Sequence, residues 1–238
     1  MKKNYKFIIL IISALVLIGF VAFTFDDVKE EFVKMTETDG ERFKREYEAI
    51  NGKEAYGMKY PSLEIDKENP IKYSNAEEIE SILSGRSGII YLGYPNCPWC
   101  RTAVPVLLHA ASDAGVDKIY YIDMGEERSS YKVEEGKLVL EKKGTDQYYK
   151  LLELFHDYLE EYFVQDEEGY DYFTGERRIY VPIVFFVKEG EIIGLHLDTV
   201  ESQKNPFQAL NEEQYEELYG IYTDYIHDML GDLCDERC

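Results

Sequence analysis

The sequence predicts an α/β fold built on a central sheet, and three observations lead to this prediction. An apolar, uncharged run at 89–93 has the length of a strand that is buried on both faces. Strand and helix patterns alternate over 71–124, an order that is typical of parallel strands joined by crossover helices. Two more strand patterns, at 183–187 and 192–197, flank a short polar turn and predict an antiparallel hairpin. The predicted sheet is therefore mixed.

The first 25 residues differ from the rest of the chain. Residues 7–25 carry no charge, and as a helix they would be about 28 Å long, enough to span the hydrocarbon core of a bilayer. Lys2, Lys3 and Lys6 precede this run and Asp26 follows it, a charge order that predicts a cytoplasmic N-terminus. We expect a single-pass membrane anchor with the C-terminal domain extracytoplasmic. The alternative is a cleaved signal peptide, which would leave the domain secreted.

The chain is strongly acidic. Its 238 residues include 47 acidic and 26 basic ones, for a net charge of −21. A surface of this sign repels phosphate backbones and anionic lipid headgroups, so we expect no nucleic-acid partner. Solubility is the simpler explanation of such a charge.

Residues 26–70 form an acidic juxtamembrane segment. Apolar side chains among many charges over 28–50 predict one or two exposed amphipathic helices, interrupted near Gly40. Glycines and prolines over 52–70 predict irregular structure. The segment is either a spacer above the membrane or a cap on the following domain, and the sequence leaves both open.

The main domain is predicted over 71–238 and begins with alternating strands and helices. Residues 71–73 predict a short strand, and Ser74 or Asn75 would cap the helix that follows. After the strand at 89–93, a helix is expected at 101–114.

The second half of this domain begins with a strand at 118–124. An insertion at about 125–178 follows, and we expect it to be helical. Its first part is charged and turn-rich, but apolar residues at 148–162 recur at helical spacing and predict a helix of about five turns. A loop is expected at 165–175. After the hairpin, an amphipathic pattern predicts the last helix at 211–230.

The segment after the 89–93 strand carries the candidate catalytic residues. Cys97 and Cys100 are separated by Pro98 and Trp99 and lie where a helix is expected to begin. The unpaired N–H groups and the dipole at such a helix end favour a thiolate, which is the nucleophile of disulfide exchange. Cys97 would attack, and Cys100, one turn further on, would resolve the mixed disulfide. This two-electron chemistry needs no cofactor.

Two other cysteines, Cys234 and Cys238, lie at the C-terminus. In a helix their Cα atoms would be about 6 Å apart, near the upper range for a disulfide. A structural tail disulfide, a redox relay to Cys97 and free thiols remain as alternatives. A zinc site with all four cysteines is disfavoured because zinc ribbons pair two Cys-x-x-Cys motifs, whereas the tail has a longer spacing. We therefore expect no metal.

The order of these elements, with a Cys-Pro-Trp-Cys motif between a strand and a helix, resembles the thioredoxin fold over about 71–230. Pro105 lies where thioredoxins carry a helix-kinking proline. Val181 and Pro182 lie where the family carries its cis-proline, and Gly194 lies where it often has a glycine. The run IIYLGYPNCPWCR is also similar to that of bacteriocin-transport-accessory-type thioredoxin-like proteins of Gram-positive bacteria.

The resemblance implies an extracytoplasmic thiol–disulfide oxidoreductase. Its substrates would be disulfide-containing or dithiol proteins, and a separate redox partner would recharge the cysteine pair. A cis bond before Pro182 would present the backbone of Val181 to an extended substrate, while Pro98 and Trp99 would shield the pair. The alternative function is a non-enzymatic accessory that binds an exported peptide or transport machinery.

One position departs from the family pattern. Thioredoxins carry a buried aspartate six residues before the first cysteine, where it helps to move the proton of the resolving thiol. Here that position is Tyr91. The proton path is therefore left open by the sequence.

Overall fold

The structure is a computed structural model that describes residues 37–231. The predicted membrane segment at 7–25 and the tail cysteines Cys234 and Cys238 lie outside the described residues. Across 37–231, no helix combines the length and the apolar character that a membrane crossing requires.

The described part of the chain alternates helices and strands. Its helices are α1 (Asp39–Glu48), α2 (Ala76–Leu83), α3 (Pro98–Asp113), α4 (Asp146–Leu154) and α5 (Glu212–Leu230). Its strands are β1 (Glu54–Ala55), β2 (Met58–Lys59), β3 (Ile71–Tyr73), β4 (Gly88–Gly93), β5 (Ile119–Asp123), β6 (Ser130–Glu134), β7 (Lys137–Lys142), β8 (Glu160–Gln165), β9 (Asp171–Arg178), β10 (Ile183–Lys188) and β11 (Glu191–Leu197).

The central sheet has five strands in the order β11-β10-β4-β5-β3. Strands β3, β5 and β4 are parallel, with Ile119 opposite both Ile71 and Ile89. Strand β10 runs antiparallel to both β4 and β11. The mixed sheet predicted from the sequence is therefore confirmed. Its middle strand β4 is almost wholly buried, which explains why its sequence is a continuous apolar run rather than an alternating one.

Helices cover both faces of this sheet. Phe185 and Phe186 are neighbours in β10 and therefore point to opposite faces. Phe185 stacks on Phe155, which follows α4, with ring centroids 4.1 Å apart, whereas Phe186 stacks on Tyr225 of α5 at 5.0 Å. Helix α3 packs beside α5. The arrangement is a central mixed sheet with flanking helices.

The insertion between β5 and β10 is not mainly helical, and the prediction of a helix over 148–162 was wrong in its second half. Helix α4 ends at Leu154, a short 3₁₀ turn follows, and the chain continues as β8. The apolar residues from Tyr158 to Tyr162 fit helical spacing, but from Tyr162 to Gln165 in β8 exposure alternates residue by residue, as in a strand. Strand β9 pairs with β8 and occupies much of the loop predicted at 165–175.

The charged, turn-rich start of the insertion is the β6–β7 hairpin. Its turn residues, Glu135 and Gly136, both have positive φ angles, of 50° and 70°. Such a turn matches the twist of antiparallel strands. The insertion is thus one short helix between two hairpins.

The segment before β3 is part of the domain. Helix α1 begins at Asp39, next to Gly40, and residues 37–38 before it are not helical; the part of the predicted helical segment before residue 37 lies outside the described residues. The helix is amphipathic, as predicted, but it is not exposed, because Phe43 and Tyr47 are completely buried. The ring of Phe43 contacts Tyr121 of the central sheet edge to face at 4.9 Å. From Asp39 onward this segment caps the domain.

Candidate active site

The cysteine pair lies at the N-terminus of α3. Cys97 is the N-cap residue, with an extended backbone (φ −82°, ψ 115°), and Pro98 is the first helical residue. Proline suits this position because its missing N–H has no partner in the first turn. The Sγ atom of Cys97 accepts a hydrogen bond from the backbone N–H of Cys100 at 3.1 Å. The prediction that the first cysteine lies at a helix start is confirmed.

The two sulfurs have different surroundings. Both cysteines are free thiols and both are buried, Cys97 with 3% of its surface exposed and Cys100 with none. Burial raises the pKa of the Cys100 thiol well above its usual value, and the neighbouring Cys97 adds to this, while the backbone of Tyr94 and the hydroxyl of Tyr91 act in the opposite direction. Cys100 is therefore a neutral thiol at rest, and Cys97 is the slightly more exposed residue of the pair.

The loop before β10 brings Val181 and Pro182 to the cysteine pair. The Val181–Pro182 peptide bond is cis, as the sequence resemblance implies. The thiol of Cys97 donates to the carbonyl oxygen of Val181, with sulfur and oxygen 3.6 Å apart. The structure thus brings Cys97 into contact with Val181, which lies 84 positions further along the chain.

Pro98 and Trp99 are half-buried on the first turn of α3. Trp99 packs against the hydrophobic core, and its carbonyl accepts a hydrogen bond from the hydroxyl of Thr102 at 2.9 Å. The buried amide of Gln203 lies beside Thr102 and accepts from the hydroxyl of Thr199 at 2.5 Å. The loop after β11 is thereby fixed to the start of α3, a contact that no sequence motif announces.

The segment that caps the domain, residues 39–70 and called the capping segment, also contributes to the surroundings of the site. The hydroxyl of Tyr60 donates to the carbonyl of Asn96, directly before Cys97, at 3.0 Å. The Tyr60 ring contacts Phe207 with centroids 5.3 Å apart. Sequence reasoning missed both aromatic residues because neither belongs to a motif.

Arg101, directly after Cys100, holds the capping segment in place. Its side chain is buried, with the residue 1% exposed, and burial lowers its pKa. The guanidinium donates to the carbonyl of Tyr47 at 2.6 Å, to the side-chain oxygen of Asn51 at 2.5 Å and to the carbonyl of Pro61 at 2.8 Å. The first turn of α3 is therefore tied to α1 and to the loop after it.

Tyr91 occupies the position where the resemblance would place an aspartate. Its side chain is completely buried in β4 and stacks on Tyr121, with centroids 5.3 Å apart and an interplanar angle of 21°. Its hydroxyl lies 2.8 Å from that of Tyr47. Burial raises the pKa of Tyr91 well above its usual value, so the residue remains a neutral phenol and does not act as a base.

Gly93 provides the space for the Tyr91 hydroxyl. A Cβ atom at this position would lie 2.2 Å from that oxygen. We expect Gly93→Ala to lower the free energy of unfolding by about 2 kcal/mol, as is typical when a packed core is overfilled. Urea denaturation of the two proteins measures the difference.

Gly220→Ala is the matched control. Gly220 lies inside α5, and a Cβ there meets no atom within 4 Å. Alanine should leave stability unchanged or raise it by up to about 1 kcal/mol, because it is the better helix former. If Gly93→Ala and Gly220→Ala have equal free energies of unfolding, the Tyr91 hydroxyl does not need the space that Gly93 leaves.

Among residues 37–231, no cluster of three or more His, Cys, Asp or Glu side chains could hold a metal ion. The zinc alternative also requires Cys234 and Cys238, which are not among them. A scan of the chain against models of known protein families gives no match, and a search of curated proteins gives none either.

Proposed function

We propose that this chain is an extracytoplasmic thiol–disulfide oxidoreductase that uses the Cys97–Cys100 pair. One observation carries the proposal. The Sγ atom of Cys97 lies at a helix N-terminus and accepts the Cys100 N–H at 3.1 Å, so a backbone donor points at the sulfur that would exchange with a substrate. A cysteine that only fills space in the core would need neither the helix N-terminus nor the hydrogen bond from the Cys100 N–H.

The architecture supports a thioredoxin fold. Three parallel strands are followed by an antiparallel pair in the order β11-β10-β4-β5-β3. The cysteine motif follows the central strand β4, and the cis bond before Pro182 precedes β10. Each of these features agrees with the fold that the sequence resembles. The two hairpins and the α1 cap would be additions to it.

The proposed reaction takes place in two exchanges. The thiolate of Cys97 attacks one sulfur of a substrate disulfide, so that a mixed disulfide forms and the other substrate sulfur leaves as a thiolate that takes a proton from water. Cys100 then attacks Cys97. The Cys97–Cys100 disulfide forms, the mixed disulfide breaks, and the Cys100 proton ends on the departing substrate sulfur. Two electrons pass from protein to substrate, and the steps run backwards when the protein acts as oxidant.

The substrate is proposed to be a protein or peptide that approaches as an extended strand. The Val181 carbonyl lies 3.6 Å from the Cys97 sulfur, so a strand pairing with this backbone would place its own sulfur beside Cys97. Trp99 and Pro98 are the half-buried side chains next to this point. A separate redox partner would restore the starting state.

The proposed location is the outer face of the cell membrane, with residues 7–25 as the anchor. Since this segment and the tail cysteines are not among the described residues, the proposal for them rests on the sequence. We propose that Cys234 and Cys238 form a tail pair separate from the active site.

Equilibration with glutathione tests the proposal. The full chain, purified in detergent, should convert reversibly between the dithiol and a Cys97–Cys100 disulfide as the ratio of reduced to oxidised glutathione is varied, followed by alkylation and mass spectrometry. It should also reduce insulin in the presence of dithiothreitol. A variant with Cys234 and Cys238 replaced by serine should retain both properties.

The absence of a Cys97–Cys100 disulfide at every ratio, together with no turnover of insulin, would contradict the proposal. A folded chain with these properties would instead fit the accessory role, in which the domain binds its partner without chemistry.

A further inference from the structure

A cavity lies beside the loop that leads into Cys97. Its volume is about 530 Å³, within the range of sites that bind small ligands or single side chains. One wall consists of Tyr94, Pro95 and Asn96, the three residues directly before Cys97, and the backbone N–H of Cys97 donates to the Tyr94 carbonyl at 3.1 Å. The other walls are α1 and the loop after β5. The capping segment thus closes one side of a space next to the proposed attacking residue.

The cavity is located at the carboxyl ends of two parallel strands. Gly93, the last residue of β4, is paired with Asp123, the last residue of β5, and Asp123 lines the cavity. In sheets of parallel strands, the crevice outside the carboxyl ends of the strands is the usual place for a ligand. This position favours a binding site over an accidental gap between elements.

The basic side chains of the lining already have acidic partners. The guanidinium of Arg42 donates to the carboxylate of Glu46 at 2.9 Å, and that of Arg45 lies 3.9 Å from the same carboxylate. Glu126 is paired in turn with Lys142 at 2.6 Å. An anionic guest would therefore have to displace a carboxylate to reach either arginine of the lining.

Two carboxylates of the lining lack a basic partner. Asp123 and Glu127 both line the cavity, and neither forms an ion pair with any of residues 37–231. Asp123 accepts the backbone N–H of Gly125 at 2.8 Å, and Glu127 accepts from the hydroxyl of Thr145. Burial raises the pKa of Asp123, and the Gly125 N–H offsets this only in part. A cation in the cavity would supply the charge that these two groups lack.

The apolar part of the lining suits an organic cation. Ala49 and Ile50, directly after α1, and Pro95 line the cavity together with the carboxylates. Lysine and arginine place their methylene groups along such apolar surface and keep the charge at a polar group. A metal ion would need a closer set of ligands, and the described part of the chain holds no group of three or more such side chains.

We propose that this cavity is a substrate subsite for a lysine or arginine side chain close to the reacting cysteine, with Asp123 as the main ion-pair partner. The proposal deepens the proposed function and rests on it. It narrows the substrate class to proteins or peptides that carry a basic residue near their disulfide or dithiol. The net charge of −21 would attract such substrates from a distance.

A panel of peptide disulfides tests the proposal. Each substrate is a disulfide-linked dimer of a short neutral peptide with one cysteine, and lysine, norleucine or glutamate occupies one of the three positions on either side of that cysteine. The reduced full-length chain is mixed with each substrate, and the released peptide thiol is followed by chromatography. We expect lysine to raise the second-order rate constant at least about tenfold over norleucine at a position on one side of the cysteine, and glutamate to lower it. The preference should shrink in about 0.5 M salt.

Asp123→Asn tests the assigned partner. The asparagine side-chain oxygen can still accept the Gly125 N–H, so the turn is kept while the charge is removed. The ratio of the lysine to the norleucine rate constant should fall to about threefold or less, in line with the loss of the ion pair. Glu127→Gln should lower this ratio by a smaller factor.

Asp66→Asn is the matched control. Asp66 also accepts the N–H two residues on, from Glu68 at 2.9 Å, but it is exposed and lies outside the cavity. This variant removes the same charge from the same kind of turn, so the ratio should stay within about twofold of that of the unmodified chain, because an exposed distant charge is largely screened.

Equal rate constants for lysine and norleucine at every position would overturn the proposal, and so would a consistent preference for norleucine. A lysine preference that Asp123→Asn and Asp66→Asn lower equally would assign the effect to net charge and would also overturn it. In each of these cases the chain still exchanges disulfides, and the proposed function stands. A chain that reacts with none of the peptides would contradict the proposed function itself.

Discussion

Cys97→Ser is expected to lower the rate of disulfide exchange by at least about a thousandfold, because the attacking sulfur is lost and a serine hydroxyl does not ionise near neutral pH. Serine removes the reactive sulfur but can keep the structural role of Cys97. Cys97 is the N-cap of α3 and accepts the Cys100 N–H, and serine is among the preferred residues for that role. Insulin reduction measures the rate, and thermal unfolding should show a stability close to that of the unmodified chain.

The control for this variant replaces both tail cysteines. Cys234→Ser/Cys238→Ser leaves the active-site pair intact and should keep the rate within about threefold, the scatter usual for single interactions. If this double variant instead loses activity while Cys97→Ser retains it, the tail pair performs the exchange and the assignment of Cys97 as nucleophile is wrong.

Arg101→Ala is expected to have the largest effect on stability, a loss of about 3 kcal/mol or more in the free energy of unfolding. Its guanidinium donates to one buried acceptor, the Tyr47 carbonyl, and to two partly buried ones on the loop after α1. Each hydrogen bond to a charged donor contributes about 1.5–3 kcal/mol, and the Pro61 carbonyl would also lose its donor. Arg101→Lys should recover only part of the loss, because an ammonium group lacks the planar fork that reaches several acceptors at once. Urea denaturation measures both variants.

Arg86→Ala is the matched control for Arg101. The Arg86 side chain is 46% exposed and forms its ion pair with Glu78 at the surface, where such pairs contribute about 1 kcal/mol or less. A similar small loss for Arg101→Ala would mean that the capping segment is not held by this residue. The segment would then have to be attached through its other contacts, such as the buried rings of Phe43 and Tyr47 and the Tyr60 hydrogen bond.

The sequence alone predicted the structure correctly where an element carries a single strong local pattern. The strand at Gly88–Gly93 is a continuous apolar run, and of the two N-cap residues that the sequence offers for the next helix, Asn75 is the one that accepts the N–H three residues on. The placement of Cys97 at a helix start follows from the same local rules. These patterns involve only residues close together in the chain, so they can be interpreted without knowledge of the fold.

The sequence did not predict the structure where apolar residues fit both a helix and a strand, or where a contact joins residues that are far apart in the chain. Apolar residues from Tyr148 to Tyr162 fit a helix throughout, yet the β8–β9 pairing takes the second half, because strand partners are chosen by packing rather than by propensity. Arg101 reads as an ordinary charge on a helix, and only the folded chain shows that it reaches Pro61. The Tyr91 hydroxyl likewise finds its hydrogen-bond partner 44 residues earlier in the chain, at Tyr47.

The most direct test of the central claim is the site of a trapped intermediate. Cys100→Ser should react with a peptide disulfide and stop at the mixed disulfide, because the resolving thiol is absent. Peptide mapping by mass spectrometry should then find the adduct on Cys97. An adduct found only on Cys234 or Cys238, or no adduct at all from a folded protein, would contradict the proposal that Cys97 is the attacking sulfur.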